Sequence, residues 1–449
     1  MLNPFDLSIK KRIGNFNKTI EVDSDKSISI RSFLIGAICQ KVSSVKNVLE
    51  SDDVLSTISC LRKLGVKIKK VKLKNYIIFG NGLGSLNAKK NTSLNFGNSG
   101  TLSRLLIGML STTPGIKLNV HGDHSLNKRN MKKLINLMSE FGATFEPKNK
   151  INFPLKIISS QMPVGINYKA GVSAQLKSAV MLAGLNSYGR TTIIENNKSR
   201  DHTENMLLSN SQAIKIKEKK NKVILIEGKN QLSPIDIIVP GDPSSAAFFV
   251  ALTLLNQKSS LIIKNVGLNK TRTGFYQILK NQKAKLKFNN LKKINNEIRG
   301  DIVVKSCKIK PFKVNKSFYA NSTDEYPILF VIAALTNGTS TFKGIDDLVN
   351  KESNRIVEMQ KILKQIGVRS KFSKKILSIY GKGPINASNK IVNVPNLGDH
   401  RICMSSFILA TLTGAHLKIK NFETVNTSSP SFLKIVKSLG VKFEIKKKL

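Results

Sequence analysis

One phrase returns along the chain: apolar residues three and four apart, a glycine, then apolar and basic residues in alternation. It reads 61-LRKLGVKI-68, 135-INLMSEFGATF-145, 362-ILKQIGVRSKF-372 and 435-IVKSLGVKFEI-445. Weaker copies without the glycine stand at 206-MLLSNSQAIKI-216 and 275-FYQILKNQKAKLKF-288. The first spacing marks one face of a helix, the alternation marks a half-buried strand, and glycine accepts the left-handed conformation that ends a helix. Copies at gaps of roughly 70 to 85 residues predict six similar α/β units, each too long for a solenoid repeat. Half of them precede 239-VPGDPSS-245 and half follow it. Pro, Gly and Asp make that stretch the best domain boundary. A strongly apolar helix, Ala246 to Leu255, is expected just after it, with Asp242 or Ser244 as its N-cap.

Length and composition agree with more than one core. A chain of 449 residues exceeds one ordinary domain, and 41% hydrophobic residues fill two or three. No apolar run reaches the roughly 18 residues of a membrane span. Met1 to Arg12 lacks the apolar segment of a secretory signal, so a cytoplasmic location is expected. Cys39, Cys60, Cys307 and Cys403 are scattered without metal-ligand spacing, and read as small core residues rather than a zinc site or disulfide framework.

Charge changes the picture. Basic residues number 73 against 28 acidic. Lysine is spread along every segment, as in 213-AIKIKEKKNK-222, and 7 Tyr with no Trp leave few stacking platforms for bases. A basic surface around a site for small anions explains the balance better than nucleic-acid binding does, and such a field steers charged substrates inward.

Candidate chemistry lies in short basic and hydroxyl-rich phrases near expected helix starts. In 24-SDKSISIR-31, Ser27 and Arg31 share a helical face with Lys26 just before it, an arrangement suited to an anion at a helix N-terminus. An N-cap with solvated charges is the competing reading. The phrase 97-GNSGTLSRLL-106 allows close backbone approach to a ligand but is neither a Walker A loop nor a dinucleotide fingerprint. Lys128 and Arg129 precede another helix in 121-HGDHSLNKRN-130. Ser173 and Gln175 open a long apolar helix in 171-GVSAQLKSAVMLAGL-185, where Lys177 reads as a solvated charge. Further phrases are 199-SRDHTE-204 and 269-NKTRTGF-275. Asp324 precedes a hydrophobic helix, where a partly desolvated carboxylate is a candidate base and a first-turn helix acid is the alternative. Lys351, Glu352 and Arg355 fall within one turn, and Asp399, His400 and Arg401 begin an apolar helix.

In order, DKSxSxR, GNSGTxxR, GDxSLxKR, SAQxKS, RDHTE, NxTRTG, KESxR and GDHR resemble the phrases of EPSP synthases, and their wording is similar to the class II branch. The resemblance runs from about residue 8 to 445 and includes 48-VLESDDVLSTISCLRKLGV-66. It implies a two-domain inverse α/β barrel of six βαβαββ repeats, three per domain. Residues 1–23 with 240–449 would form one domain and 24–239 the other, with the active site in the interdomain cleft. The implied reaction moves the enolpyruvyl group of phosphoenolpyruvate to the 5-hydroxyl of shikimate 3-phosphate. Lys26, Ser27, Arg31, Ser173, Ala174, Gln175, Asp324 and Lys351 would bind shikimate 3-phosphate. Lys26, Gly100, Arg129, Gln175, Arg355 and Arg401 would bind phosphoenolpyruvate. Asp324 would act as base, Glu352 as acid, and Lys26 on the leaving phosphate. No metal, cofactor, nucleic acid or membrane is implied, and a monomer is expected.

The chain departs from the family's usual wording at Ile30, Asn130, Asn354, and Asp23-Ser24, where Pro-Gly is usual. The UDP-N-acetylglucosamine enolpyruvyltransferases are the nearest alternative. Many of them carry a reactive Cys in the loop that here reads 121-HGDHSLNKR-129, and this loop has none. A basic nucleic-acid-binding protein is the alternative of another class.

Overall fold

A computed structural model describes residues 4–210, 212–218 and 220–447. Ser211 and Lys219, which belong to the phrases 206–216 and 213–222, lie outside these residues, as do 1–3 and 448–449.

The helix-glycine-strand phrases become helices followed by edge strands. Asp52–Lys63 leads to Lys67–Lys72, Lys132–Glu140 to Thr144–Glu146, Arg355–Gln365 to Arg369–Ser373, and Phe432–Ser438 to Glu444–Lys447. The intervening Gly65, Gly142, Gly367 and Gly440 have φ of +87°, +93°, +79° and +100°. Only glycine reaches that region without strain, which is why the residue recurs. The weaker copies behave alike: His202–Leu207 leads to Ile214–Glu218, and Gly274–Asn281 to Leu286–Ile294. After Gly274–Asn281 the left-handed position is filled by Lys283, at φ +58°.

The described strands form six four-stranded sheets. In each, a parallel pair makes one edge, and its inner strand continues into an antiparallel partner. Residues 93–158 show the unit whole. Ser93–Asn95 pairs in parallel with Lys117–His121 across the helix Gly100–Thr112, and Lys132–Glu140 then leads to the hairpin Thr144–Glu146 and Leu155–Ile158. This is a βαβαββ repeat, and the fold is a mixed α/β arrangement of six of them.

The chain divides into two compact units. The first contains the described residues of Met1–Asp23, Pro240–Lys292 and Ile298–Leu449; the second contains those of Ser24–Val239 and Lys293–Glu297. In the first, Asn17–Glu21 pairs in parallel with Ser260–Gly267, and Phe5–Ile9 lies between His416–Ile419 and Glu444–Lys447. In the second, Asp236–Ile238 returns to pair with Gln40–Lys46.

Each unit has its own core built around the opening helices of its repeats. In the second unit these are Lys26–Ile38, Gly100–Thr112 and Ala174–Leu185; in the first, Pro243–Leu255, Tyr326–Ala334 and His400–Thr413. They are buried on nearly every face, as helices apolar all round must be. Full burial of each Leu, Ile or Phe contributes about 1.5–3 kcal/mol. Gly108 permits a close approach between two of these helices, since a Cβ there would stand 2.5 Å from the Ala179 carbonyl oxygen. The apolar helix after residue 242 begins at Pro243, earlier than expected, because Asp242 caps it by accepting from Ser244 N. Ser244 is therefore inside the helix, and its hydroxyl bonds Glu325 instead.

Cys39, Cys60 and Cys403 are buried free thiols and Cys307 is half-buried. Burial pushes Cys39 and Cys60 up to about 12, so neither is nucleophilic at neutral pH. No helix among the described residues is long and apolar enough to cross a membrane.

Candidate active site

The functional phrases fold onto helix starts because short polar residues there satisfy free N–H groups. In the second unit Asp25, Ser99 and Ser173 accept from Ile28, Leu102 and Leu176 N, capping its opening helices. The first turns of those helices present Lys26 and Ser27, Gly100 and Thr101, and Ala174 and Gln175.

Side chains tie these turns together. Gln175 Nε2 donates to Thr101 Oγ1 at 3.0 Å. Arg129 Nη2 donates to Asn98 Oδ1 at 2.7 Å, and Arg104 Nη1 donates to the Gly100 carbonyl at 2.9 Å. A Cβ on Gly100 would stand 2.8 Å from Arg104 Nη1 and 2.9 Å from Arg129 Nη1, so glycine lets two guanidinium groups meet the backbone. Arg31 is buried, which excludes the solvated reading. Its Nε donates to Thr203 Oγ1 at 2.9 Å, its Nη2 to Ser178 Oγ at 3.3 Å, and its Nη1 to the Ser27 carbonyl at 3.1 Å. Lys26 Nζ lies 3.0 Å from Asp53 Oδ2. Asp53 was not among the expected residues; the signals for it are the acidic start of Asp52–Lys63 and its place in the phrase 48–66.

Lys177 corrects its sequence reading. It is 0% exposed and pairs with Glu195 at 2.9 Å and Glu204 at 2.7 Å, while Lys222 lies 3.3 Å from Glu204 and 4.0 Å from Glu195. Burial works against the Lys177 charge, but the two glutamates more than offset it and raise its pKa. Glu204 mirrors this, its carboxyl held low by Lys177 and Lys222 against burial. The helix periodicity places Lys177 correctly; what it cannot show is that two carboxylates from later elements meet it there. Beside this group His202 Nδ1 lies 2.8 Å from Glu297 Oε1.

In the first unit the charges gather around Arg355, which is 1% exposed. Its Nε lies 2.9 Å from Asp399 Oδ2, its Nη2 is 2.6 Å from Glu352 Oε2, and its Nη1 is 3.6 Å from Asp324 Oδ1. Burial opposes the guanidinium charge, and Asp399, Glu352 and Asp324 together hold it. Asp324 and Glu352 remain 24% and 20% exposed, so both reach solvent-side chemistry while touching one cation.

Asp399 has two duties. It also accepts from Arg401 N at 2.9 Å and Ile402 N at 3.4 Å, capping the helix that carries Arg401. Arg401 is 3% exposed, and among the described residues its Nε and Nη1 have no hydrogen-bond partner. A buried guanidinium in that state calls for an anion. Lys351 pairs with Asp347 at 2.8 Å, next to Tyr319, rather than with the Arg355 group.

The departures from the usual wording are accommodated locally. Asn354 caps Arg355–Gln365 by accepting from Val357 N, and Arg355 takes its orientation from Asp399 and Glu352. Asn130 accepts from Lys132 N. Asp23 accepts from Ser429 Oγ at 3.0 Å and Ser431 N at 2.9 Å. The NKTRTG phrase supports the Asp324 turn. Gly274 packs so tightly on Asn321 that a Cβ there would lie 2.3 Å from Asn321 Oδ1, and Arg272 donates to Asp242 and Ser244.

Comparison with known proteins gives one consistent result. The family model for EPSP synthase (3-phosphoshikimate 1-carboxyvinyltransferase) matches residues 10–436. The 3-phosphoshikimate 1-carboxyvinyltransferase of Paramagnetospirillum magneticum is 37% identical over 424 residues, covering 94% of each chain. That of Bacillus subtilis is 35% identical over 434 residues, covering 96% of this chain and 99% of the relative. Among solved structures, EPSP synthase from Acinetobacter baumannii matches with a TM-score of 0.85 and 34% identity, over 99% of this chain and 100% of that one. The enolpyruvyl transferase NikO from Streptomyces tendae shares the fold at a TM-score of 0.74 and 12% identity.

Proposed function

The chain belongs to the EPSP synthase family, and from that premise we propose that it transfers the enolpyruvyl group of phosphoenolpyruvate to the 5-hydroxyl of shikimate 3-phosphate, releasing phosphate in the pathway to aromatic amino acids. The observation that carries this reading is the full-length likeness to enzymes of that activity. The wording of SAQLK, RDHTE and NKTR favours the class II branch, and a cytoplasmic monomer is the accompanying expectation.

The site residues take these roles in the proposal. Lys26, Ser27, Arg31, Ser173, Ala174 and Gln175 of the second unit, with Asp324 and Lys351 of the first, hold shikimate 3-phosphate. Lys26, Gly100, Arg129, Gln175, Arg355 and Arg401 hold phosphoenolpyruvate. Arg forks match carboxylate and phosphate oxygens in a bidentate way, and the buried Arg401 guanidinium suits such an anion. Asp324 takes the proton of the attacking 5-hydroxyl and Glu352 delivers a proton to the methylene carbon, giving a tetrahedral adduct. The new methyl group then gives a proton back as phosphate is expelled, with Lys26 stabilising the phosphate that leaves. Proton transfer of this kind contributes about two to four orders of magnitude.

Arg355 links binding to these proton transfers. Its present partners include both proposed proton carriers, Asp324 and Glu352. A substrate carboxylate that reaches Arg355 takes their place, while Asp399 stays. A neighbouring cation favours the ionised form of a carboxyl group, so displacement from Arg355 eases the protonation that Glu352 needs as an acid.

The test is direct. Purified protein mixed with shikimate 3-phosphate and phosphoenolpyruvate is expected to release inorganic phosphate, and UDP-N-acetylglucosamine in place of the shikimate ester is expected to give none. Phosphate release only with the nucleotide sugar would overturn the assignment.

A further inference from the structure

Two buried polar groups in the second unit share a backbone. Ser178 and Thr203, which hold Arg31, are the chain neighbours of Lys177 and Glu204, which form the core of the ionic quartet. We propose that Ser178 and Thr203 are positioning residues for the substrate-binding guanidinium of Arg31, and that the quartet Lys177, Glu195, Glu204 and Lys222 locks them in register. This inference rests on the role given to Arg31 above.

The geometry is specific. Thr203 Oγ1 accepts from Arg31 Nε at 2.9 Å, shares a hydrogen bond of 2.8 Å with Ser178 Oγ, and sits in the first turn of His202–Leu207. Ser178 Oγ accepts from Arg31 Nη2 at 3.3 Å, one turn into the helix whose start carries Ser173, Ala174 and Gln175. One guanidinium therefore spans the helix Lys26–Ile38 and two later helices. Two of its nitrogens are oriented by hydroxyls and a third by the Ser27 carbonyl. A carboxylate in the place of either hydroxyl would hold Arg31 more strongly and would also compete with an incoming anion.

What remains is to hold the two hydroxyls still. His202–Leu207 is short, and the carboxylate of its N-cap Asp201 accepts from the Asn205 side chain at 3.4 Å. The ionic quartet adds a restraint further along that helix. Lys177 Nζ bridges Glu204 on that short helix and Glu195 at the end of Arg190–Glu195, while Ser199 N and Oγ donate to Glu195 Oε1 at 2.8 and 2.6 Å. Lys222 opens Lys222–Glu227, the antiparallel neighbour of Arg190–Glu195, and closes the group from the other side. Two lysines and two glutamates at 0–6% side-chain exposure are electrically balanced. Ion pairs this deep contribute little more to stability than well-packed apolar side chains of equal volume. Their advantage here is directional: they fix where Ser178 and Thr203 point.

The test uses the full chain and separate KM determinations for the two substrates. Thr203→Val keeps the shape and removes the acceptor. It is expected to raise KM for shikimate 3-phosphate at least tenfold while kcat and KM for phosphoenolpyruvate stay within twofold, and Thr203→Ser is expected to bring that KM back to within threefold of wild type. Lys177→Met/Glu204→Leu removes one opposite-charge pair together. It is expected to fold, with a wild-type circular dichroism spectrum, and to show the same selective rise. If Thr203→Val does not fold, Ser178→Ala is read in the same way. A wild-type protein that releases no phosphate overturns the parent assignment. An active wild type with a Thr203→Val variant whose two KM values both match it, or rise together, overturns this inference alone.

Discussion

Both arginines of the first unit depend on Asp399, and replacing it with asparagine isolates that dependence. Asparagine keeps the oxygen that caps Arg401 and Ile402 N but turns the other oxygen into an amide donor facing Arg355 Nε. An ion pair at 2.9 Å is lost around a guanidinium that is 1% exposed. Breaking a buried pair from one side costs about 3–5 kcal/mol, and because Glu352 and Asp324 still neutralise Arg355, the lower end, about 3 kcal/mol, is expected. Activity falls for a second reason. The guanidinium then turns fully to Glu352 and Asp324, the two carboxylates that substrate must displace. The expected drop in kcat/KM for phosphoenolpyruvate is about 100-fold, equivalent to about 2.7 kcal/mol. Phosphate release across a phosphoenolpyruvate series at saturating shikimate 3-phosphate, alongside urea unfolding of the same preparation, measures both effects. An Asp399→Asn protein with an unchanged urea midpoint and a kcat/KM within threefold of wild type would refute the reasoning.

Other outcomes follow from the same geometry. Asp324→Asn and Lys26→Met are each expected to abolish measurable phosphate release with the fold intact by circular dichroism; wild-type turnover in either removes that residue from the mechanism. The quartet makes stability depend on pH at both ends. Glu204 is depressed, so its contribution is complete above its unfolded pKa of about 4.3 and is lost as pH falls through the lower folded value. Lys177 is raised, so its contribution is complete below about 10.4 and is lost as pH rises through the higher folded value. Urea midpoints are expected to form a plateau between these limits, with a shallower acid limb in Lys177→Met/Glu204→Leu; parallel limbs would contradict the assignment. Lys283→Gly relieves a left-handed lysine and is expected to stabilise the protein by up to about 1 kcal/mol in urea, whereas a lower midpoint would show that the side chain matters more than its φ.

The repeat was legible because its punctuation is conformational. Gly65, Gly142, Gly367 and Gly440 each end a helix in a region other residues avoid, so the phrase shows on the surface of the sequence. The copy ending at Lys283 is weaker because lysine tolerates the same φ at a cost and leaves no such mark. Residues at helix starts, such as Lys26, Gln175 and Arg401, were visible as phrases because caps and charges cluster there. Their partners were not. Asp53 lies 27 positions from Lys26, and Asp399 lies 44 from Arg355, on different elements. Lys177 was misread for the same reason, since its chain neighbours are apolar and its carboxylates arrive from two later segments.

The strand Phe5–Ile9 bears on synthesis as well as on architecture. Leu7 sits opposite Ile419 and Ile445, which leave the ribosome more than 400 positions after it. At about 5–20 residues per second, the nascent strand waits roughly 20–80 s for its neighbours. Ser24–Val239 holds all the strands of its own three sheets and needs no such delay. During that interval a strand without its sheet partners is exposed, and a holdase that shields Phe5–Ile9 as it emerges should raise the yield of this chain more than one acting late.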